Sequence, residues 1–592
     1  MWRLPDQDPG RKPSGAALSQ ELIDKGYALS CQTEVRSDLR LQSPQFEELK
    51  IKTVYDSEYF DENREKISGR FEINPPLKRI RLSVPQPSLD DNYSDLKRLK
   101  RELRKASGIQ NAACEYSVLK KLAQTIRRAQ GEVVVVVSDL GALPAIIDVE
   151  TPEESRGLYG LAVDIGTTTV VLHLVDLESG QIVDTAFTYN QQIKCGEDVI
   201  ARIHYARKPG RLQELKELIV HTINNLIEKS ASSSQIAPSD VYFASVSGNT
   251  TMMHLFLELE PDHIRRHPYV PTINQVPIIR SRELGLSMNV EGRVYCGPSV
   301  GSYVGGDITA GLLCTPLYRD SQEISLFIDA GTNGEIVLGN RDWLMTCACS
   351  IGPAFEGGGI RCGMPATEGA IEKLRIKPDG SLEYEVINGG RPKGICGSGL
   401  VDLLAESFIQ GYVDRHGKFN VNKDKNRYKD TENGLGFLIE KADNCYWGKD
   451  LVLTENDVAH LIRSKAAVFS ACSLMLKNAG VTFDQVNGIY IAGGFGRHLN
   501  IENAVRIGLL PDLERSKFHY LGNSSLQGAY LMLLSDANRR LAEEIADKMT
   551  YVELNTEPRY MDEFTGALFL PHTNADLFPS VKKLWKEGHP PG

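Results

Sequence analysis

Several features that mark other classes of protein are missing from this sequence. No apolar run approaches the 18 or so residues of a membrane-spanning helix, and the valine run at residues 133–137 has the length of a strand. The first 30 residues contain no apolar core of the kind found in signal peptides. Cysteine is scarce, with 11 residues and an odd count, which is typical of a reduced compartment. We therefore expect a cytoplasmic protein that does not enter a membrane.

An excess of basic residues is also missing. The 592 residues include 67 Lys and Arg against 77 Asp and Glu, which gives a net charge of −10. Nucleic-acid binders usually carry a basic domain, so we expect no nucleic-acid partner. Hydrophobic residues make up 41% and charged residues 24%, the composition of an ordinary folded protein. At about 100–200 residues per domain, the length predicts several domains.

Changes in composition divide the chain into four parts. Residues 1–45 are irregular, and residues 46–78 form a polar linker. Residues 79–156 predict a small α/β domain, in which the valine run at residues 133–137 forms a buried strand. Strand and helix signals then alternate through residues 157–580, with glycines at the strand ends, which predicts an α/β architecture.

The last part contains an internal repeat. Residues 157–176 and 323–340 each read as an apolar strand, then Asp-x-Gly-Thr, then a polar turn and a second apolar strand. The two aspartates are Asp164 and Asp329. A hairpin turn with Gly lets backbone N–H groups approach an anion, and an Asp at the strand end can hold hydrated Mg²⁺. Two facing hairpins of this kind predict a polyphosphate site, whereas the alternative is a pair of ordinary β-hairpins.

A third glycine cluster lies in residues 488–511. It reads as a strand, then Gly493 and Gly494, then a turn and a helix. Ligands of open α/β sheets bind at such strand ends, where paired glycines let the backbone lie flat against a ring or a sugar. The alternative is a close strand-to-helix crossover that needs small residues.

The two Asp-x-Gly-Thr segments and the strand-Gly-Gly segment, in this order, resemble the ATPase superfamily of acetate and sugar kinases, Hsp70 and actin. The resemblance implies a duplicated RNase H-like core with ATP and Mg²⁺ in the cleft between two subdomains. It implies that Asp164 and Asp329 hold the hydrated metal, and that Asp307 is the acid–base or water-positioning residue, with Glu335 as a weaker candidate that alternatively faces solvent. The other implied contacts are with phosphate, through Gly166, Thr167, Thr168, Thr169, Gly331, Thr332, Asn333 and Gly334, and with adenosine, through Gly493, Gly494 and Phe495.

Further segments resemble one branch of that superfamily, the ATP-dependent reductive activators of corrinoid proteins. They are residues 246–257, 352–374, 394–406 and 491–504, and the resemblance covers about residues 80–575, in which residues 79–156 resemble the middle domain of those activators. It implies that ATP binding and hydrolysis are coupled to the reduction of Co(II) to Co(I) on a corrinoid protein in methyl-transfer metabolism. It also implies a homodimer and an N-terminal ferredoxin domain.

The sequence departs from this family at its start. Residues 25–42 resemble the last strand of a ferredoxin, in which Cys31 would be the fourth ligand of a [2Fe–2S] cluster, yet no other cysteine precedes Cys114. Such a cluster needs four cysteines, so we expect none here and an external electron donor instead. Either the N-terminus is truncated or this member has lost its own cluster. The later pair Cys347 and Cys349 fits a zinc site poorly, and we expect ordinary thiols there.

Three other functions stay open. A small-molecule kinase of the same superfamily would not carry the unit at residues 79–156. A nucleotide-regulated scaffold would not need the ferredoxin remnant around Cys31. An activator of 2-hydroxyacyl-CoA dehydratases would resemble a much shorter single ATPase domain.

Overall fold

The computed structural model describes residues 2–3, 27–28, 73–318, 322–331, 333–432, 434–493 and 499–586. The chain forms two compact units, residues 1–52 and residues 53–592. In the first unit, strands β1 (Trp2–Arg3) and β2 (Tyr27–Ala28) pair antiparallel. Among the described residues, no helix is both long and apolar enough to span a bilayer.

The second unit contains 22 further strands in its described part. They are β3 (Leu77–Ser83), β4 (Ala113–Cys114), β5 (Glu132–Ser138), β6 (Ala145–Glu150), β7 (Tyr159–Ile165), β8 (Thr169–Asp176), β9 (Ile182–Tyr189), β10 (Val241–Gly248), β11 (Ile279–Arg280), β12 (Arg293–Cys296), β13 (Ser325–Ala330), β14 (Gly334–Gly339), β15 (Leu344–Cys349), β16 (Ala370–Ile376), β17 (Leu382–Val386), β18 (Gly394–Ile395), β19 (Tyr428–Thr431), β20 (Gly434–Glu440), β21 (Leu451–Thr454), β22 (Gly488–Ala492), β23 (Phe518–Gly522) and β24 (Met549–Tyr551).

The described α-helices all belong to the second unit. They are α1 (Asp95–Ser107), α2 (Tyr116–Arg128), α3 (Val199–Ala206), α4 (Arg211–Ser233), α5 (Thr250–Phe256), α6 (Ser281–Leu284), α7 (Gly306–Leu313), α8 (Gly397–Ile409), α9 (Glu455–Ala479), α10 (Ile501–Arg506), α11 (Ser524–Leu534), α12 (Asp536–Lys548), α13 (Tyr560–Ala567) and α14 (Pro579–Lys586).

The first part of this unit is a small α/β structure. Its sheet has the strand order β3-β5-β6-β4, with α1 and α2 packed on it. All five valines of β5 are buried, which confirms the predicted buried strand and follows from the fit of β-branched side chains to a pleated surface. Helix α1 begins where the Ser94 side chain accepts a hydrogen bond from the Lys97 N–H.

Two six-stranded sheets with the same core topology follow. In the first, β7, β8 and β9 form an antiparallel meander, and β10 and β12 add in parallel beside β7. In the second, β13, β14 and β15 form the meander, and β22 and β23 add in parallel beside β13. We call the parts built on these sheets the first lobe and the second lobe. Both Asp-x-Gly-Thr segments connect the first two strands of their meander, as the repeat predicts.

A crossing of two helices joins the lobes. Helix α11 follows β23 of the second sheet, yet it packs against β7 and β10 of the first sheet and against α7. The crossing is close because a Cβ on Gly528 would overlap the backbone of Ala310. On α7, a Cβ on Gly311 would lie 2.7 Å from Ser524 Oγ and 2.8 Å from the ring of Phe327. Each lobe is therefore held by a helix that the other lobe supplies.

Candidate functional site

A cavity of about 160 Å³ lies where the two Asp-x-Gly-Thr hairpins meet. Most of the residues expected from the sequence line it, namely Asp164, Gly166, Thr167, Thr168, Thr169, Asp307, Asp329, Gly331, Asn333, Glu335 and Gly493. Five residues that the sequence analysis did not single out line it as well, namely Asn249, Glu356, Asn523, Ser524 and Ser525. The structure thus gathers both hairpins and the strand-Gly segment around one space.

The remaining expected residues are placed differently. Gly334 begins β14 and is not among the lining residues. Cys31, Thr332, Gly494 and Phe495 lie outside the described residues. Their predicted roles stay predictions.

Five carboxyl groups line the cavity, those of Asp164, Asp307, Asp329, Glu335 and Glu356. Asp329 and Glu335 are direct partners across the antiparallel pair β13 and β14, so their side chains share one face of the sheet. Burial raises the pKa of Asp329 to about 7, with repulsion from Asp164 as the second cause. Burial and the charges of Asp329 and Asp164 raise the pKa of Asp307 well above its ordinary value. Burial likewise raises the pKa of Glu335, and Asp307 and Asp329 add to the effect.

The position of Glu335 excludes one alternative. The sequence left open that the Glu335 side chain faces solvent, but this residue is only 5% exposed. All six residues of β14 are buried because the strand lies inside the second sheet with both faces covered. An acidic side chain in such a place is costly unless a ligand compensates its charge.

The carboxyl groups that line the cavity fit a hydrated divalent cation. The lining includes neither Lys nor Arg within the described part of the chain, so the lining itself contributes no basic side chain beside its carboxyl groups. Across those same residues, no three His, Cys, Asp or Glu side chains are grouped closely enough to coordinate a metal directly. Mg²⁺ keeps several of its waters and is usually held by one or two carboxylates together with substrate phosphates. Asp164 and Asp329 both line the cavity, and their role as holders of hydrated Mg²⁺ stays a prediction.

Asp164 is fixed by residues that come much later in the chain. Its two carboxylate oxygens accept hydrogen bonds from Asn523 Nδ2 at 2.9 Å and from Ser525 Oγ at 2.7 Å. Burial raises the pKa of Asp164, and these two donors oppose the rise. A signal for them exists in the sequence, since residues 248–251 and 522–525 both read Gly-Asn followed by two hydroxyl residues. In both places the Asn side chain caps the helix that follows.

Glycine is required where backbone segments approach each other at the cavity. Gly493 has φ +94°, and a Cβ there would lie 2.6 Å from the Ala330 carbonyl oxygen and 3.0 Å from Asp329 Oδ1. The end of β22 can therefore lie against the second hairpin only without a side chain.

Comparison with known families covers most of the second unit. The family models match in three consecutive stretches: the RACo linker region at residues 67–156, the RACo middle region at 159–320, and the C-terminal domain of RACo, the ASKHA domain, at 323–582. The corrinoid activation enzyme RamQ of Eubacterium limosum is 36% identical over 460 residues, which cover 76% of each chain. This chain belongs to the RACo family.

Other relatives agree with membership of the RACo family. A solved structure described as a reductive activator for corrinoid, iron-sulfur protein is 44% identical, with a TM-score of 0.80 over 98% of this chain and 93% of its own. The [Co(II) methylated amine-specific corrinoid protein] reductase of Methanosarcina barkeri is 26% identical over 428 residues, 66% of this chain and 73% of that protein. The resemblance to the corrinoid activators and the predicted duplicated ATPase-type fold are both confirmed. Residues 79–156, expected to resemble the middle domain, instead match the linker region, and the middle region matches residues 159–320.

Proposed function

We propose that this protein is an ATP-dependent reductive activator of a corrinoid protein. The observation that carries the proposal is the single cavity in which two Asp-x-Gly-Thr hairpins, one from each lobe, meet in a chain of the RACo family. The names of the relatives supply the partner class, a corrinoid protein with cobalt as Co(II). The reaction adds one electron from a donor to Co(II) and yields Co(I), with ATP as the second substrate.

The residues around the cavity suit the binding and hydrolysis of ATP. The hairpin at Gly166 to Thr169 and the hairpin at Gly331 to Asn333 hold the phosphate chain from opposite sides. Asp164 and Asp329 hold Mg²⁺, which neutralises phosphate charge in such sites. Asp307 lies at the first turn of α7 and accepts a hydrogen bond from the Ile308 N–H at 2.9 Å, which fixes its carboxylate to position the attacking water.

The same contacts provide a route from nucleotide to partner. Asn523 and Ser525 follow the second sheet and bind Asp164 of the first lobe, so the cavity spans a joint between the lobes. A ligand held by both lobes favours the arrangement in which they are close. A corrinoid protein that contacts both lobes then binds the two arrangements with different affinities, and this difference is the coupling.

The coupling can be measured directly. With a corrinoid protein in the Co(II) state and Ti(III) citrate as the reductant, Co(I) is expected to appear in the visible spectrum only when MgATP and this protein are both present. A non-hydrolysable ATP analogue is expected to change the affinity for the Co(II) protein by a factor of about 5–150. The chemical reductant supplies the electron because the printed sequence has one cysteine before Cys114.

The controls separate this function from its alternatives. The Co(I) form of the partner is the matched control, and its affinity should respond less to the analogue. Equal affinity for the partner with and without nucleotide would refute the coupling, and a phosphorylated small molecule as the product would indicate a kinase instead.

Ser525→Ala tests the support of Asp164. Loss of the hydroxyl removes a donor that favours the ionised form, so the pKa of Asp164 rises further and less of it is ionised at neutral pH. We expect ATP hydrolysis at pH 7 to fall about tenfold and the acid limb of the pH–rate profile to move to higher pH, with partial recovery as pH rises. Ser524→Ala is the matched control, since this hydroxyl has no hydrogen-bond partner in the described chain and the acid limb should keep its position. An unmoved limb in Ser525→Ala would contradict the assignment.

A further inference from the structure

The loop of the first hairpin is held from behind by two fully buried side chains. Asn190 Nδ2 donates to the Gly166 carbonyl oxygen at 2.9 Å, and Arg202 Nη2 donates to the Thr167 carbonyl oxygen at 2.5 Å. Both Asn190 and Arg202 are 0% exposed. Arg202 comes from α3, and Asn190 follows β9, so neither belongs to the hairpin itself.

These contacts determine where the N–H groups of the loop point. In a trans peptide, the carbonyl of one residue and the N–H of the next point in opposite directions. With the Gly166 and Thr167 carbonyls bound from behind, the Thr167 and Thr168 N–H groups face the other side, where both residues line the cavity. Within the described chain, neither N–H donates a hydrogen bond to protein. Two adjacent, unpartnered N–H groups on one side form an anion-binding site.

Arg202 also brings a positive charge, on which the carboxylate of Asp198 acts without a salt bridge between them. Its remaining contacts are with neutral groups: Nε donates to the Gly196 carbonyl oxygen at 2.9 Å and Nη1 to Gln192 Oε1 at 3.2 Å. No salt bridge joins it to an acidic residue in the parts of the chain that the structure covers. Burial lowers the pKa of Arg202 to about 10, so the guanidinium is protonated at neutral pH. A buried cation without a salt bridge is costly, and an anion nearby offsets the cost.

We propose that Arg202 is a positioning residue for the nucleotide's phosphates, which orients the N–H groups of the Gly166–Thr169 hairpin and adds a positive charge behind it. The inference rests on the proposed function, because it assumes that the cavity holds a nucleoside polyphosphate. Among the described residues, it places a basic group of this site behind the loop rather than in the lining. A purely structural Arg202 would affect all ligands of the cavity alike, whereas this role concerns phosphate alone.

The test compares ligands that differ in phosphate. Dissociation constants of MgATP, MgADP and adenosine are measured by calorimetry for the unchanged protein and for Arg202→Met. We expect MgATP and MgADP to bind about 10–100-fold more weakly to the variant, and adenosine to bind within about twofold of the unchanged protein. Equal losses for adenosine and MgATP, or no loss for either, would overturn the proposal. Unchanged protein that binds no MgATP would instead refute the proposed function.

Two further variants complete the design. Arg98→Met is the control for loss of a buried arginine, because Arg98 also binds carbonyl oxygens but lies in α1, where it additionally forms a salt bridge with Asp95, and nucleotide binding should not change. If Arg202→Met does not fold, the dissociation constants of MgATP and adenosine are measured for Gln192→Glu instead, and the same outcomes support or overturn the proposal. It places a carboxylate beside Arg202 Nη1 while keeping the acceptor there, at the cost of one hydrogen bond from Gln192 Nε2 to the Leu215 carbonyl oxygen.

Discussion

Asp307→Asn is expected to lower the rate of ATP hydrolysis by a factor of about 10²–10⁴ while MgATP still binds. The amide keeps the shape of the side chain and can still accept the Ile308 N–H, but it cannot take a proton from the attacking water. Burial raises the pKa of Asp307 well above its ordinary value, and a carboxyl group with a raised pKa is suited to that task. Hydrolysis is followed by phosphate release, and binding by calorimetry. Loss of rate in Glu335→Gln with an unchanged rate in Asp307→Asn would move the role to Glu335.

The same variant should make the nucleotide-free protein more stable. The raised pKa means that folded Asp307 keeps its proton at a pH where the unfolded chain loses it, so this group opposes folding increasingly as pH rises above about 3.8. The gain in the thermal midpoint is therefore expected to be absent near pH 4 and to grow toward neutral pH. Asp240→Asn is the matched control: burial raises the pKa of Asp240 too, yet it does not line the cavity. It should also stabilise the protein, but it should leave ATP hydrolysis unchanged.

Gly528→Ala is expected to destabilise the protein by about 2–3 kcal/mol and to reduce ATP hydrolysis at the same time. Alanine has the higher helix propensity, by about 1 kcal/mol, so propensity alone would stabilise α11. The added Cβ overlaps the backbone of Ala310, and backbone in a close helix crossing cannot move aside without separating the helices. Separation also displaces Ser525, one turn earlier on α11, from Asp164.

Thermal unfolding and phosphate release together test this prediction. Gly210→Ala is the matched control, because Gly210 has φ +74° but a Cβ there would have no neighbour within 4 Å. In that variant, backbone strain should lower the free energy of unfolding by about 1 kcal/mol, and the activity should be kept. A Gly528→Ala protein as stable as the unchanged chain would mean that α7 and α11 can separate freely, and that their crossing does not set the distance between the lobes.

The parts of the fold and site that the sequence predicts are those encoded locally. Each Asp-x-Gly-Thr hairpin lies within about 20 consecutive residues, so strand alternation and turn chemistry reveal both the hairpin and its Asp. The order of the three glycine clusters then indicates the duplicated lobes. The same reasoning supports Glu335 as a candidate, because the turn after Asp329 makes the two residues cross-strand partners. Only the burial of both faces of β14 could not be foreseen.

The other residues of the site depend on how distant segments pack. Asn523 and Ser525 reach Asp164 because α11 crosses into the first lobe, and no local pattern records that crossing. Arg202 and Asn190 contact backbone oxygens, which every residue has, so no partner residue type marks them in the sequence. Side chains that act through the backbone of a loop become visible only when the structure places them behind it.

The long sequence separation between Asp164 and its two hydrogen-bond donors also affects how the site forms during synthesis. Asn523 and Ser525 lie 359 and 361 residues after Asp164. A ribosome that has completed the first lobe has therefore produced the first phosphate hairpin without the groups that hold its carboxylate. Contacts between residues so far apart form late, because closing a long loop costs entropy before the contact can repay it. The lining of the cavity is thus finished only when synthesis has passed residue 525, and a chain interrupted earlier would lack part of the proposed nucleotide site.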